Sequence, residues 1–523
     1  FRDVAERLGS FRTRADKRLP ETLDYFGWCT WDAFYSEVSP QGVLDGLREL
    51  KQAGFPPRTL ILDDGWQTVS PCKPPATTSA SAAVTTTADA TDAQQQEGSS
   101  GGGTLLGAVS ALLERFYDAR VSRAPHGSLS VRLWRFLTRG AMSGELAAYF
   151  DTRTDFARQL ARFGANAKFE QHGGGGGGSL RALIEEARGE GVHFVYAWHA
   201  LPGYWRGVSP ELAEEAGLAV VQQQLEPSRH LLRLEPQLGW DPTVLYGAGL
   251  SNDSASLAAL YDGLHGYLVE SGVDGVKVDV QAAVPALGGG MGGGPALASA
   301  YIGAMEASVA KRFGPHCVNC MCHSTENLYS YTHTAVARAS DDFYPDRPDS
   351  HTVHIVNVAY NSLFIGEVCQ PDWDMFHSLH EVAGLHAAAR AIGGCAIYVS
   401  DLPSHHDAQL LRRLVLPDGT VLRALRPGRP TRDCLFADVA TDGKTALKIW
   451  NENRAGGAVV GAFHVQGVRW NFERHGNEIV DPAPPPLAVT VRPSDAPTLT
   501  AVAASGRVVV YRHGSGALEL LRD

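Results

Sequence analysis

The sequence predicts an α/β protein folded as a (β/α)8 barrel of the TIM type with a C-terminal antiparallel β domain. Eight short apolar runs alternate with helical stretches, the mark of parallel βα units. Almost every run ends on its C-terminal side in polar or aromatic residues, where a barrel of this kind carries its chemistry. After Leu402 the helices thin out and short alternating segments follow, separated by Gly, Pro and Asn. An open doubly wound sheet is the rival, but no Gly-rich phosphate turn follows the first strand.

Taken in order, the expected strands are Tyr25–Asp32, Thr59–Trp66, His193–Leu201, Val273–Gln281, Val318–Ser324, Ala335–Phe343, Leu363–Gln370 and Cys395–Asp401. Helical periodicity falls between them in PQGVLDGLRELKQAG, SLRALIEEARGEG, ALASAYIGAMEASVAKRFG and HSLHEVAGLHAAARAIGG, several closed by Gly as helices commonly are. TALKIWNEN, GAVVGAFHV, LAVTVRP and GRVVVYRHG are the expected strands of the C-terminal domain. The expected organisation is a barrel start over 1–71, an insertion over 72–165, the rest of the barrel over 166–401 and a β-sandwich-like domain over 402–523. The insertion contains PATTSASAAVTTTADATDAQQQEGSSGGG, too poor in large apolar groups to offset the entropy of ordering, so it is expected to be disordered. The runs Gly173–Gly178 and GGGMGGG at 288–294 are expected to be flexible loops.

At 523 residues and 44% hydrophobic content, the chain can bury one large core and a smaller one. A net charge of -11 argues against nucleic acid or an anionic membrane as partner, because both repel carboxylates. A neutral polar substrate fits better. No run of about 18 apolar residues occurs, and FRDVAERLGSFRTRADKRLP lacks the apolar core of a secretory signal. DVAERLGSF is already amphipathic at the first residues, which leads us to expect further chain upstream. The eight cysteines sit mostly in apolar runs, as reduced core thiols do, and a cytoplasmic or plastid setting follows. Cys317, Cys320 and Cys322 in CVNCMC lack the distant second pair that tetrahedral zinc requires, and they are read as alternating along a strand. No metal and no cofactor is expected.

The stretch GVDGVKVDVQ places charge in a core strand. Because side chains alternate, Lys277, Asp279 and Gln281 share one face and Val276, Val278 and Val280 the other. The valines are expected to pack on helices and the polar trio to face the barrel mouth. There Lys277 would keep Asp279 ionised despite desolvation, which makes Asp279 a candidate nucleophile. A buried structural ion pair is the alternative. ARASDDFYP brings Arg338, Asp341 and Asp342 to the end of the sixth strand. One of these aspartates is the candidate proton donor, the other capping the loop or pairing with Arg338. Two carboxyl groups across a scissile bond are what glycoside hydrolysis needs. Asp63 and Asp64 in LDDGW would accept sugar hydroxyls. Trp28, Trp31, Trp66, Trp198, Trp205 and Trp373 lie at or just past strand ends, where several could stack on sugar faces, although any one of them is more often core.

DYFGWCTWDAFYSEVSPQGV, LILDDGWQ, YAWHALPGYW, GVDGVKVDVQ, RASDDFYP, QPDWDMFHSLH and AIGGCAIYVSD together resemble the raffinose synthase, alkaline α-galactosidase and seed imbibition protein group of glycoside hydrolase family thirty-six. The likeness runs from residue 1 to about 425, broken by the insertion. It implies a retaining mechanism on α-galactosides, with Asp279 attacking the anomeric carbon and the acid/base within Arg338–Asp342. Both Asp341 and Asp342 stay open as that acid. It further implies a galactose pocket of Trp31, Asp63, Asp64, Trp198, Lys277, Arg338 and the PDWD stretch at Asp372, and small-molecule sugars such as galactinol, sucrose and raffinose as substrates. Galactosyl transfer from galactinol to sucrose, hydrolysis of raffinose-type sugars, and a catalytically silent sugar-binding barrel are the readings in play. The group's N-terminal β-sandwich has no counterpart in this sequence, and the long insertion departs from its pattern.

Overall fold

The computed structural model describes residues 1–72, 157–172, 179–225, 227–234, 247–472, 476–499 and 507–522. The expectations for residues 73–156 and for Gly173–Gly178 lie outside the described residues. Contacts divide the chain into two units, one of Phe1–Thr68, Arg162–Leu201 and Asn252–Asp523, the other of Val69–Ala161 and Pro202–Ser251.

The first unit contains eight parallel strands in chain order: β1 (Gly27–Cys29), β2 (Thr59–Leu62), β3 (Phe194–Ala200), β4 (Gly275–Asp279), β5 (Cys317–Asn319), β6 (Val336–Arg338), β7 (Gln370–Asp372) and β8 (Tyr398–Val399). Each pairs with the next as far as β7, and β8 pairs with β1 through Gly27↔Tyr398 and Trp28↔Val399. Pairing of the last strand with the first curls the sheet on itself. Across the β7–β8 seam the Tyr398 hydroxyl donates to Asp372 Oδ1 at 2.7 Å.

The register fixes which side chains point inward. Cys29, Ile61 and Tyr196 are aligned partners on β1, β2 and β3, and with Met375 and Tyr398 they form one buried cluster. Trp198↔Lys277, Ala200↔Asp279, Lys277↔Val318, Val318↔Val336 and Arg338↔Asp372 carry the same inward face around the sheet. Lys277 and Asp279 therefore face inward while Val276 and Val278, fully buried, face out.

The helices follow from local sequence. α1 (Pro40–Gln52) starts with Pro40 after the capping Ser39, whose hydroxyl accepts from Gly42 N. α2 (Ser179–Gly189), α3 (Ser254–Glu270), α4 (Gly294–Arg312), α5 (His351–Val368) and α6 (Ala383–Gly393) fill connections between strands. Asp253 caps α3 at Ser256 N, 2.8 Å.

Several expectations are corrected. The seventh strand is Gln370–Asp372, not Leu363–Gln370, because LFIGEV continues α5. In α5 the buried residues Ile355, Val358, Ala359, Ser362, Ile365 and Gly366 recur at three- and four-residue intervals, which a short apolar run does not reveal by itself. Arg158–Ala165, inside the expected insertion, is a strand, and Thr68 donates to the carbonyl of Ala165 at 2.6 Å. GGGMGGG forms a tight turn leading into α4, with Met291 only 4% exposed. Cys320 and Cys322 lie beyond β5, so the three cysteines do not alternate along one strand.

After the barrel, β9 (Arg429–Pro430), β10 (Leu447–Glu452) and β11 (Ala458–Phe463) form an antiparallel sheet, followed by the hairpins Val468–Asn471 with Gly476–Ile479 and Arg507–Arg512 with Ala517–Arg522. LAVTVRP, exposed over 488–492, is not the expected strand and makes no ladder among the described residues. In the second unit, Val221–Gln223 pairs antiparallel with Ala248–Leu250, and Ser209 caps the helix Pro210–Glu215. No helix among the described residues is long and apolar enough to cross a membrane.

Candidate active site

Strand ends on the C-terminal side of the barrel gather a dense set of carboxylates around two cations. Lys277 Nζ meets Asp63 Oδ2 at 2.6 Å, both side chains nearly sealed from solvent. The sequence pointed instead to Asp279 as the lysine's partner. Asp63 takes that place because it extends the inward face of β2 beyond Ile61, and its Oδ2 also accepts from the Cys29 thiol at 3.3 Å. Burial works most strongly against the ammonium, yet Asp63, Cys29 and Cys320 together hold the lysine well above its ordinary pKa.

Asp279 ends β4. Its Oδ2 accepts from the Trp198 indole at 3.0 Å and its Oδ1 from Val280 N at 2.6 Å. Burial raises its pKa, Lys277 pulls it down, and the charge of Asp342 pushes it up again. The net direction is upward, so Lys277 tempers the desolvation of Asp279 without cancelling it. The alternation stops there, because Val280 adopts φ 61°. Gln281 is thereby turned out of the polar trio into hydrogen bonds with Val278 O, Asn319 Oδ1 and the Tyr331 hydroxyl.

Around Arg338 the two candidate acids separate. Arg338, 1% exposed, pairs through Nη2 with Asp342 and through Nη1 with Asp374 Oδ1 at 2.6 Å. The second approach is an ion pair poorly aligned for a hydrogen bond, since neither atom has a hydrogen-bond partner among the described residues. Asp341 is exposed and caps the loop, accepting from Asp342 N at 2.9 Å and the Tyr344 hydroxyl at 3.1 Å. Asp342 is the member whose charge acts on Asp279, Asp374 and Asp32.

Two further acids belong to the cluster. Asp374 is fully buried at φ 66°, an uncommon conformation for a residue with a side chain. Burial pushes its carboxyl up to about 6 against the pull of Arg338, with the charge of Asp342 adding to the rise. Asp32 accepts from the Ser400 hydroxyl at 2.6 Å. Burial raises it well above the ordinary range against that hydrogen bond, with the charges of Asp374, Asp342 and Asp63 adding to the rise. The sequence left Asp32 without a role and carried Asp374 only within the PDWD stretch. Asp374 could have been found from the Asp372-x-Asp374 spacing, which puts two carboxylates on one face of an extended segment.

Among the proposed sugar contacts, Trp31 is half-buried beside the inner cluster and meets Tyr35 edge-on at 5.2 Å. Trp198 holds Asp279, and Asp64 is buried in the turn after Asp63. Asp372 faces the barrel interior, with Oδ1 taken by Tyr398 and by Asp374 N at 2.9 Å. Trp28 and Trp373 are corrections. Trp28 shares the outward face with Leu60 and Val399, donates to Asp401 O at 3.0 Å and lies on Gly46 of α1 so closely that no Cβ fits there. Trp373 points outward between Asp372 and Asp374 and fills the space against Gly393 of α6. Both are wall residues, because strand alternation sends them to the helix layer. Trp66 is also fully buried, stacked on Tyr267. Trp205 is half-buried in the second unit. No cluster of metal-ligating groups occurs among the described residues.

Residues 1–93 and 140–522 match the family described as raffinose synthase or seed imbibition protein Sip1. The chain is 39% identical to the probable galactinol–sucrose galactosyltransferase 6 of Arabidopsis thaliana, over 99% of this chain and 60% of that one. It is 36% identical to the galactinol–sucrose galactosyltransferase of Oryza sativa subsp. japonica, over 100% and 59%, and 34% identical to the stachyose synthase of Pisum sativum, over 90% and 57%. The chain thus spans about 60% of the length of these curated relatives. An α-galactosidase from Thermus thermophilus in complex with stachyose superposes with a TM-score of 0.43 at 14% identity, covering 76% of this chain and 65% of that one. The chain belongs to the raffinose synthase or seed imbibition protein Sip1 family.

Proposed function

We propose that this chain carries the catalytic barrel of a retaining α-galactosyl enzyme that moves galactose from galactinol to sucrose. The supporting observation is the placing of Asp279 and Asp342 at the ends of β4 and β6 within one charge field, with Lys277 and Arg338 beside them. Asp279 attacks the anomeric carbon of galactose. The bond from that carbon to the leaving oxygen breaks, its electron pair stays on the oxygen, and Asp342 supplies the proton. In the second step Asp342 acts as base. The acceptor hydroxyl then gives its proton to Asp342 as its oxygen displaces Asp279. Trp31, Asp63, Asp64, Trp198 and Lys277 hold the galactosyl unit, and Arg338, Asp372 and Asp374 hold the acid in place. The names of the relatives favour transfer over hydrolysis, with galactinol, sucrose and raffinose as the sugars handled. The eight free thiols fit a reducing setting, in the cytoplasm or a plastid. Incubation with galactinol and sucrose, products separated, tests the reading. Raffinose is the expected product. Free galactose alone would replace transfer with α-galactosidase activity, and binding without turnover would leave a sugar-binding protein.

A further inference from the structure

The loop bearing Asp342 is anchored by a group of residues that the reaction itself does not use. Phe343, the next residue, is 2% exposed. Its ring lies edge-on or tilted against four imidazoles, His386 at 4.9 Å, His351 at 5.3 Å, His377 at 5.6 Å and His380 at 5.8 Å between centroids. Its backbone N–H donates to Asp374 Oδ2 at 2.7 Å. Asp374 thus grips the loop on both sides of the acid, through Phe343 after it and through Arg338 four residues before it.

Arg390 ties these parts together. It is fully buried on α6 and donates from Nε to the carbonyl of Asp374 at 2.8 Å, from Nη2 to that of Met375 at 2.8 Å, and from Nη1 to His386 Nδ1 at 2.9 Å. A guanidinium only donates, so His386 Nδ1 is an acceptor and its Nε2 carries the hydrogen. That hydrogen is directed to His351 Nδ1 at 3.0 Å, which fixes the second tautomer as well. Burial keeps His351, His377 and His386 below the ordinary histidine range, so these rings meet Phe343 uncharged near neutral pH. The left-handed backbone of Asp374 is held from behind by the same arginine that orders the cage.

We propose that Asp374, Arg390 and the imidazole cage around Phe343 form one positioning device that fixes the Asp342 carboxyl for proton transfer to the leaving oxygen. The inference rests on the reading of Asp342 as acid/base, and it assigns Asp374 and Phe343 as positioning residues. A misplaced acid costs most where the leaving group needs a proton and least where it does not. The test compares kcat/KM for raffinose with that for 4-nitrophenyl α-galactoside, whose leaving group departs as a stable anion. The proteins are wild type, Phe343→Leu, His380→Ala at the half-buried edge of the cage, and Asp374→Asn, with thermal melts confirming which variants fold. For at least one folded variant, raffinose turnover is expected to fall tenfold or more beyond any fall with the nitrophenyl substrate. An equal fall for both substrates, or none for either, in every folded variant would overturn the inference. Should wild type fail to make raffinose from galactinol and sucrose, the proposed function fails, a result separate from any loss of discrimination in the variants.

Discussion

Replacing Lys277 with Met tests the charge arrangement at its most buried point. The ammonium lies 2.6 Å from Asp63 Oδ2 with both side chains about 95% sealed. Removing one partner of such a pair leaves an uncompensated carboxylate in the core, a loss of about 3–5 kcal/mol. An exposed pair would lose at most about 1 kcal/mol. Urea denaturation of Lys277→Met is expected to show the larger loss, and the double variant Lys277→Met with Asp63→Asn to recover part of it, because the orphaned charge is gone. Lys277 also lowers the pKa of Asp279, so without it residual activity should reach its acid limb at higher pH. A loss below about 1 kcal/mol, strict additivity in the double variant, or an acid limb that moves to lower pH would refute this account of the site.

Exchanging the adjacent acids separates their roles. Asp341→Asn, which alters an exposed cap, should stay within a few-fold of wild type, whereas Asp342→Asn should lose on the order of 10²–10⁴-fold with raffinose and regain turnover on nitrophenyl galactoside with azide. Stability should respond to Asp374 with a definite sign. Its carboxyl is raised from the ordinary 3.8 to about 6 in the folded protein, so its proton is bound more tightly by the native state. Its contribution is full below pH ~4 and is lost as pH rises through about 6. Thermal melts from pH 4 to 7 should therefore show wild type losing stability relative to Asp374→Asn across that window. Chelator should leave activity intact, since Lys277 and Arg338 supply the positive charge among these carboxylates.

Much of this architecture was legible because period-two runs ending in charge, such as VKVD and ILDD, can only be strands that expose their last residues at one rim. The seventh strand was not. Pro371 interrupts it, and the apolar end of α5 offered a more strand-like run next door. The two carboxylate sites were legible from residue type, whereas the partner of Lys277 was not. A lysine two residues from an aspartate advertises a local pair, and only the inward register of β2 against β3 and β4 brings Asp63 closer. Trp28 and Trp373 illustrate the opposite error. Proximity to a strand end does not decide which face a ring takes, and one step of alternation placed both against helices. Arg390 and the imidazoles around Phe343 lie on three separate stretches, with no spacing in the sequence to join them.

The configuration of the first sugar released decides the central claim. ¹H NMR of 4-nitrophenyl α-galactoside turnover, followed faster than mutarotation, should show α-galactose or an α-galactoside appearing first, as two displacements at one carbon require. First appearance of the β anomer would mean a single displacement and would remove Asp279 as nucleophile.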